Sequence, residues 1–387
     1  MYQVGKDQLR QVLKNAIDNR ELAGANLMII KDGQEVFYHE DGYADIEEKL
    51  PVSRDTIFRM YSMTKPVTAA AVMTLLERGI IDLYEPVSKF LPGFKNQMVV
   101  EEKELVPAER EVNLKDLLSM TSGLVYGGID RAGQETETLF QEIDNRLLGD
   151  NPMGTIEAMN KLGKCALAFQ PGATWMYGTS ADVLGAVVEI ASGMRFSEFL
   201  DREIFKPLEM KDTAFWVAAE KRGRLAKAYE HGPDFELKPY FGNHLGIINA
   251  MDRIPAFESG GAGLVSTIDD YARFAHMLMN KGSLDGVQIL KPKTVEYLTS
   301  CSLTYEQQKN MWPHLSGYTY GNLMRIMTDC SKAGGICSEG EYGWDGWLGA
   351  YFCNCPEENL IFLLMMQLTN TGTTSLTRKL RNIILAR

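Results

Sequence analysis

The run Thr68-Ala69-Ala70-Ala71-Val72-Met73-Thr74-Leu75-Leu76-Glu77-Arg78 consists of strong helix formers and is closed by Gly79. It is nearly apolar all round. Such a helix has no face to give to water, so it must lie between layers of other structure. The chain has 387 residues, 45% of them apolar and 24% charged, which suits a globular protein of two domains.

Elements that could enclose this helix are found on both sides of it. The N-terminal segment reads as an amphipathic helix. Ala25 to Ile30, the turn Lys31-Asp32-Gly33, and Gln34 to His39 read as a β-hairpin. Between Asp82 and Ser259 helix signals dominate, at Asn113 to Thr121, Ile156 to Leu162, Ala181 to Ser192 and Phe196 to Ile204. Phe215 to Phe257 reads as long loops with short strands, the kind that border a pocket. Ser259 to Gly263 reads as a flexible hinge, and Thr267 as the N-cap of a helix with Asp270 in the capping-box position. Strand patterns return at Tyr318 to Met327, Leu348 to Cys355 and Asn359 to Leu368, before a closing helix from Ser375 to Ala386. Strands at both ends with helices between predict an α/β (α+β) molecule. Residues 1–81 and 260–387 would form one discontinuous sheet domain and 82–259 an inserted, mainly helical domain, with the active site between them.

Composition excludes several functions. The net charge is −11 with both signs mixed along the chain, which disfavours nucleic acid or an anionic membrane as partner. The longest apolar stretches have only strand length, and the N-terminus has no signal-peptide pattern, so a cytoplasmic protein without membrane insertion is expected. The six cysteines, Cys165, Cys301, Cys330, Cys337, Cys353 and Cys355, have no framework spacing and read as reduced structural thiols. Cys353 and Cys355 would share one strand face, but no further zinc ligands follow at matching spacing. No metal or organic cofactor is called for, and the oligomeric state is left open.

The chain lacks G-x-S-x-G, H-E-x-x-H and a P-loop, and its five histidines are scattered. A serine hydrolase built on it would not use histidine as base. The positive signal is Ser62-Met63-Thr64-Lys65 at the start of the buried helix. Three residues apart, the two side chains share a helix face, so the amine can reach the hydroxyl. A desolvated lysine loses preference for its charged form, and its neutral amine can take the serine proton. Taken alone the motif is weak, because a chain this long holds about one S-x-x-K by chance. Ser62 would serve equally as an N-cap and Lys65 as a solvated first-turn residue.

Longer stretches add to the motif. Thr56-Ile57-Phe58-Arg59 followed by Ser62-Met63-Thr64-Lys65-Pro66 resembles the nucleophile region of serine β-lactamase-like and penicillin-binding proteins, above all the family VIII carboxylesterases. Leu117 to Leu124 (LLSMTSGL) is similar to their LLxHTSGL segment, with Met120 where histidine is usual. Phe169 to Tyr177 resembles the approach to a second motif, and Gly260 to Thr267 with Asp270-Tyr271 a later glycine-rich segment. The resemblance implies a β-lactamase-like fold with a mostly antiparallel sheet flanked by helices. It also implies a serine hydrolase that cleaves small-molecule carboxylic esters through an acyl-Ser62 intermediate.

In that reading Ser62, Lys65 and Tyr177 are catalytic, with Tyr177 sharing proton transfer, and the backbone N–H groups of Ser62 and Trp347 form the oxyanion hole. Tyr177-Gly178-Thr179 lacks the asparagine of the Tyr-x-Asn motif. Trp344-Asp345-Gly346 stands where β-lactamases carry Lys-Thr-Gly. Loss of that lysine, with Asp345 added, argues for neutral or cationic acyl substrates. Gly346 would keep the strand free of side chain where substrate lies close. Tyr126, Trp175, Tyr240, Trp312 and Trp344 are candidates to line the pocket. β-Lactamase, D-alanyl carboxypeptidase or amidase, and acyltransferase activities on the same scaffold stay open, as does a non-catalytic sensor or binding module.

Overall fold

The computed structural model describes residues 3–300 and 303–386, so Cys301 lies outside the described residues. The expected hairpin is present as β1 (Gly24–Lys31) and β2 (Gln34–Asp45). Its turn residues Asp32 and Gly33 both have positive φ, 52° and 77°, the sense of turn whose twist matches the strands it joins. The sheet is completed by β3 (Leu50–Pro51), β4 (Tyr318–Gly321), β5 (Met324–Met327), β6 (Tyr342–Asp345), β7 (Tyr351–Cys355) and β8 (Leu360–Met366). Their order is β4-β5-β6-β7-β8-β1-β2-β3, and every neighbouring pair is antiparallel. The two ends of the chain meet where β1 pairs with β8, Ala25 opposite Met366 and Lys31 opposite Leu360.

Both faces of this sheet are covered, which is why β8 reads as an unbroken apolar run rather than an alternating one. On the outer face Leu27, Ile29, Phe362 and Leu364 pack with Leu9 and Leu13 of α1 (Gln3–Asp18) and Leu376 and Leu380. On the inner face Met28, Ile30, Leu363 and Met365 join a larger core that contains α2 (Thr64–Glu77). Every residue of α2 from Thr64 to Leu75 is buried, as an all-apolar helix requires. Each fully buried Val, Leu or Met there contributes roughly 1.5–3 kcal/mol. Against α2 packs α3 (Ser180–Ser192), ended by Gly193 in the left-handed conformation, and α4 (Ile268–Met279) lies against β8. The outer layer closes with α5 (Ser375–Leu385).

Some local expectations need correction. Tyr318 to Met327 is two strands, β4 and β5, joined at Asn322-Leu323, where Leu323 adopts φ 61° although leucine is no turn signal. Thr267 caps α4 through Asp270 N–H. The Asp270 carboxylate, however, accepts from Asp212 N–H and Thr213 Oγ1 rather than closing a capping box. Ser259 to Gly263 is buried and clamped, not a flexible hinge. A Cβ on Gly260 would come within 2.3 Å of the Ala181 carbonyl, so glycine there permits close approach to α3. The helix Arg131–Arg146 was not expected. Cys353 and Cys355 do share a face, Sγ to Sγ 3.7 Å, beside a Glu341 carboxylate already bound by Arg381 and Tyr318. The five described cysteines are unbridged. Among the described residues no helix is long and apolar enough to cross a membrane.

Candidate active site

The site begins with the turn before α2. Tyr61 has φ 44°, a conformation that costs a bulky residue of order 1–3 kcal/mol and persists only when its surroundings hold it. They do. The Tyr61 ring lies 4.9 Å from that of Trp347, Met60 N–H bonds to Leu264 O, and Tyr271 OH donates to Met63 O over 2.8 Å. Leu264 N–H in turn donates to Thr64 Oγ1. The glycine-rich segment and Tyr271 thus fix the turn that carries Ser62, whose side chain is only half-buried while Tyr61 and Met63 beside it are buried.

One helical turn on, Lys65 is fully buried and its Nζ is shared among three neutral oxygens. It stands 3.1 Å from Ser62 Oγ, 2.9 Å from Tyr126 OH and 2.9 Å from Gly261 O. Burial lowers the Lys65 pKa from 10.5 to about 7, opposed in part by the charges of Asp182 and Asp345. Neither carboxylate touches the amine. Asp182, buried in the first turn of α3, accepts from Gly261 N–H and Ser259 Oγ, so it acts on Lys65 from behind Gly261.

Tyr177 completes the group. Its ring faces Lys65 Nζ at 4.6 Å and its hydroxyl accepts from Trp344 Nε1 over 3.0 Å. Burial holds its phenol far above the ordinary tyrosine range, though hydrogen bonding with Ser62 and Trp344 pulls the other way. The group therefore stays a neutral donor at neutral pH. The loop that carries it is stitched to the LLSMTSGL segment: Met176 N–H bonds to Met120 O, and a Cβ on Gly178 would collide with Leu124 O at 2.2 Å. Met120, where histidine is usual, is a fully buried core residue.

A cavity of about 770 Å³ opens over Ser62, walled by Tyr126, Tyr177, Trp312, Trp344 and Trp347. Asp345 is in the wall but is no free anion, because it is ion-paired with Arg325 at 2.8 Å and accepts from Thr373 Oγ1. That removes the ground for expecting anionic acyl groups to be repelled. Three further expectations are corrected. Trp175 is 1% exposed and lies behind the wall, its ring 5.3 Å from Trp312 and 6.3 Å from Tyr177. Tyr240 supports Trp347 from outside at 5.5 Å. Gly346 is small for a different reason: a Cβ there would lie 2.3 Å from Met60 O. The turn after β6 is thereby pressed against the Ser62 turn. Gly346 N–H is taken by Ala350 O, while Trp347 N–H has no hydrogen-bond partner among the described residues.

Sequence reasoning placed Tyr126 in the pocket wall but not against Lys65, and it missed Asp182 and His244. Asp182 left a signal, as the one charged residue in the apolar run Ala181 to Val188. His244, whose ring lies 4.3 Å from that of Trp347, left none.

Known proteins resemble this chain over nearly its whole length. The family model described as Beta-lactamase matches residues 9–386. Protein Rv1367c of Mycobacterium tuberculosis (strain ATCC 25618 / H37Rv) is 31% identical, over 92% of this chain and 88% of its own. Esterase EstB of Burkholderia gladioli is 30% identical, over 98% of this chain and 95% of its own. Among solved structures, EstCE1, a hydrolase with promiscuous acyltransferase activity, superposes with a TM-score of 0.84 at 23% identity, covering 99% of each chain.

Proposed function

The chain belongs to the Beta-lactamase family of serine hydrolases, and from that premise we propose that it cleaves carboxylic esters through an acyl-Ser62 intermediate. The observation that carries the reading is a buried amine of pKa about 7, 3.1 Å from a serine hydroxyl at the floor of an aromatic cavity. Neutral Lys65 takes the Ser62 proton as Oγ attacks the ester carbonyl. The N–H groups of Ser62 and Trp347 hold the oxyanion. As the tetrahedral centre collapses, Tyr177 gives its proton to the leaving alcohol and is reprotonated by the Lys65 ammonium. Water then attacks the acyl group, with its proton passing to Lys65. The Ser62–acyl bond breaks, Ser62 Oγ takes the proton back from the Lys65 ammonium, and the acid departs. Because burial keeps the Tyr177 phenol protonated, Lys65 is the base and Tyr177 the relay. The sheet domain (1–81, 260–387) and the insert (82–259) contribute Ser62 and Tyr177 to this centre from opposite sides.

Acyl transfer is the second reading, favoured by a cavity roomy enough for an alcohol beside the acyl group and by the activity named for EstCE1. Lactamase and cell-wall peptidase activities rank lower, because Trp344 occupies the place of their lysine. The test is intact-protein mass after treatment with a fluorophosphonate, with turnover of short p-nitrophenyl esters set against a chromogenic cephalosporin. A Ser62-dependent adduct and a preference for the esters are expected. A preference for the cephalosporin would sink the esterase reading, and absence of the adduct would favour a sensor.

A further inference from the structure

A second chamber of about 300 Å³ adjoins the active-site cavity, and the two share Pro313, His314, Thr373 and Arg378 in their walls. Its charged lining is unusual. Arg325, Lys332, Arg378 and Arg381 all contribute to the wall, and no carboxylate does. Asp345, Glu341 and Asp329 pair with Arg325, Arg381 and Lys332 from outside the chamber. Arg378 donates to Thr373 O and has no carboxylate partner among the described residues. Arg325 Nη2 and Arg381 Nε are buried without a hydrogen-bond partner, and the Arg325 guanidinium stacks over the Tyr351 ring at 4.8 Å. Arg378 lies in the first turn of α5, where the helix dipole adds positive potential. Three of the four cations are paired from behind, and Arg378 is the one at this wall that no carboxylate offsets among the described residues.

We propose that this chamber seats the anionic end, a carboxylate or a phosphate, of an acyl compound whose reacting carbonyl lies at Ser62. The proposal rests on the ester-cleavage reading for the reacting end, but anion binding stands apart from it. At about 300 Å³ the chamber is large enough for a carboxylate or phosphate with a short stem. Guanidinium forks can take two oxygens of either group at once.

Two measurements test this. Ser62→Ala protein is titrated with inorganic phosphate and with glutarate by calorimetry at low salt. Wild-type kcat/KM is then compared for p-nitrophenyl hemiesters of four- to eight-carbon dicarboxylic acids and neutral p-nitrophenyl alkanoates of matched length. The expected result is an anion that binds and, at one chain length, a hemiester advantage of at least about tenfold. Lys332→Glu, at a side chain 66% exposed and outside the active-site cavity, removes most of that advantage and leaves neutral-ester turnover unchanged. Arg378→Gln weakens binding of the same anion. Binding of phosphate alone, or of glutarate alone, identifies which group is seated. Failure of both anions to bind overturns the seat, as does a hemiester advantage that survives Lys332→Glu. If no ester is turned over at all, the ester reading falls and the titration still decides the chamber.

Discussion

Two cations are buried on opposite sides of β6, and they meet opposite fates. Arg381 is bound directly by the Glu341 carboxylate and by Tyr318 OH, whereas Lys65 touches only a hydroxyl, a phenol and a carbonyl. A carboxylate in contact offsets the desolvation of a buried charge; neutral oxygens offset it only in part. Arg381 is therefore locked as a cation and helps tie α5 to the sheet. Lys65 is pushed towards losing its proton, the condition for it to act as a base. The lesson is that burial alone does not decide what a cation does. The nearest carboxylate does, and at Lys65 it is held one residue away, behind Gly261.

The largest effect that separates the two sites is on activity. Lys65→Met should lower kcat/KM on a short ester by roughly 10³–10⁴-fold, since in the proposed mechanism both proton transfers pass through the amine. The same variant should unfold at no lower urea concentration than the wild type, because methionine fills the space without a charge to desolvate. An active Lys65→Met protein would end the comparison. Arg381→Met should do the reverse. It leaves Glu341 buried and unpaired, at a cost of about 3–5 kcal/mol in urea unfolding. The double variant Arg381→Met/Glu341→Leu should recover most of that loss, and if it does not, the pair is not what makes Arg381 structural.

Stability against pH sharpens the contrast. Lys65 has a folded pKa of about 7 and an unfolded value of 10.5, so between them the unfolded chain holds a proton that the folded chain does not. Folding stability must then rise with pH across that window, by up to about 1.4 kcal/mol per unit. The penalty is fully present below about pH 7 and relieved towards 10.5. The slope is best read from pH 7 to 9, below the tyrosine range. It should vanish in Lys65→Met and persist in Arg381→Met. A wild-type stability that is flat over this interval would show that the amine is not desolvated as the geometry requires.

The two sites also differ in how far the sequence exposes them. Lys65 follows Ser62 by three residues, where the turn before α2 runs into the helix, so local spacing brings them together without any knowledge of the fold. Tyr177 and Trp344 were reached only through resemblance to motifs in the same order. Tyr126 is 61 positions from Lys65, and nothing in either segment announces their 2.9 Å contact. Asp345 misled for the same reason: its partner Arg325 stands on β5, the neighbouring strand but 20 positions away in the chain, and a charge read without its partner has the wrong sign of consequence. Trp175 reads like any other pocket aromatic until packing shows it behind Tyr177. The helix Arg131–Arg146 went unread because only a narrow stripe, Ala132, Gly133, Thr136, Leu139, Phe140 and Ile143, is buried on an otherwise polar segment. The fold's layers follow from patterns within single elements; the charge balance of the site follows from contacts between distant ones.

The smallest effect tests the most distant of those contacts. Asp182 raises the Lys65 pKa without touching it, through the Gly261 peptide whose N–H it accepts and whose C=O faces the amine. Asp182→Asn keeps an oxygen for Gly261 N–H and Ser259 Oγ but removes the charge. The Lys65 pKa should then fall below about 7, and the acid limb of the kcat/KM profile should move to lower pH by up to about one unit. At pH 6 the variant would hold more neutral amine than the wild type, while on the alkaline plateau its weaker base would turn over more slowly. The two profiles must therefore cross. A variant that is slower at every pH, with its limb unmoved, would mean that Asp182 only braces the glycine-rich segment. Lys65 would then owe its state to burial alone.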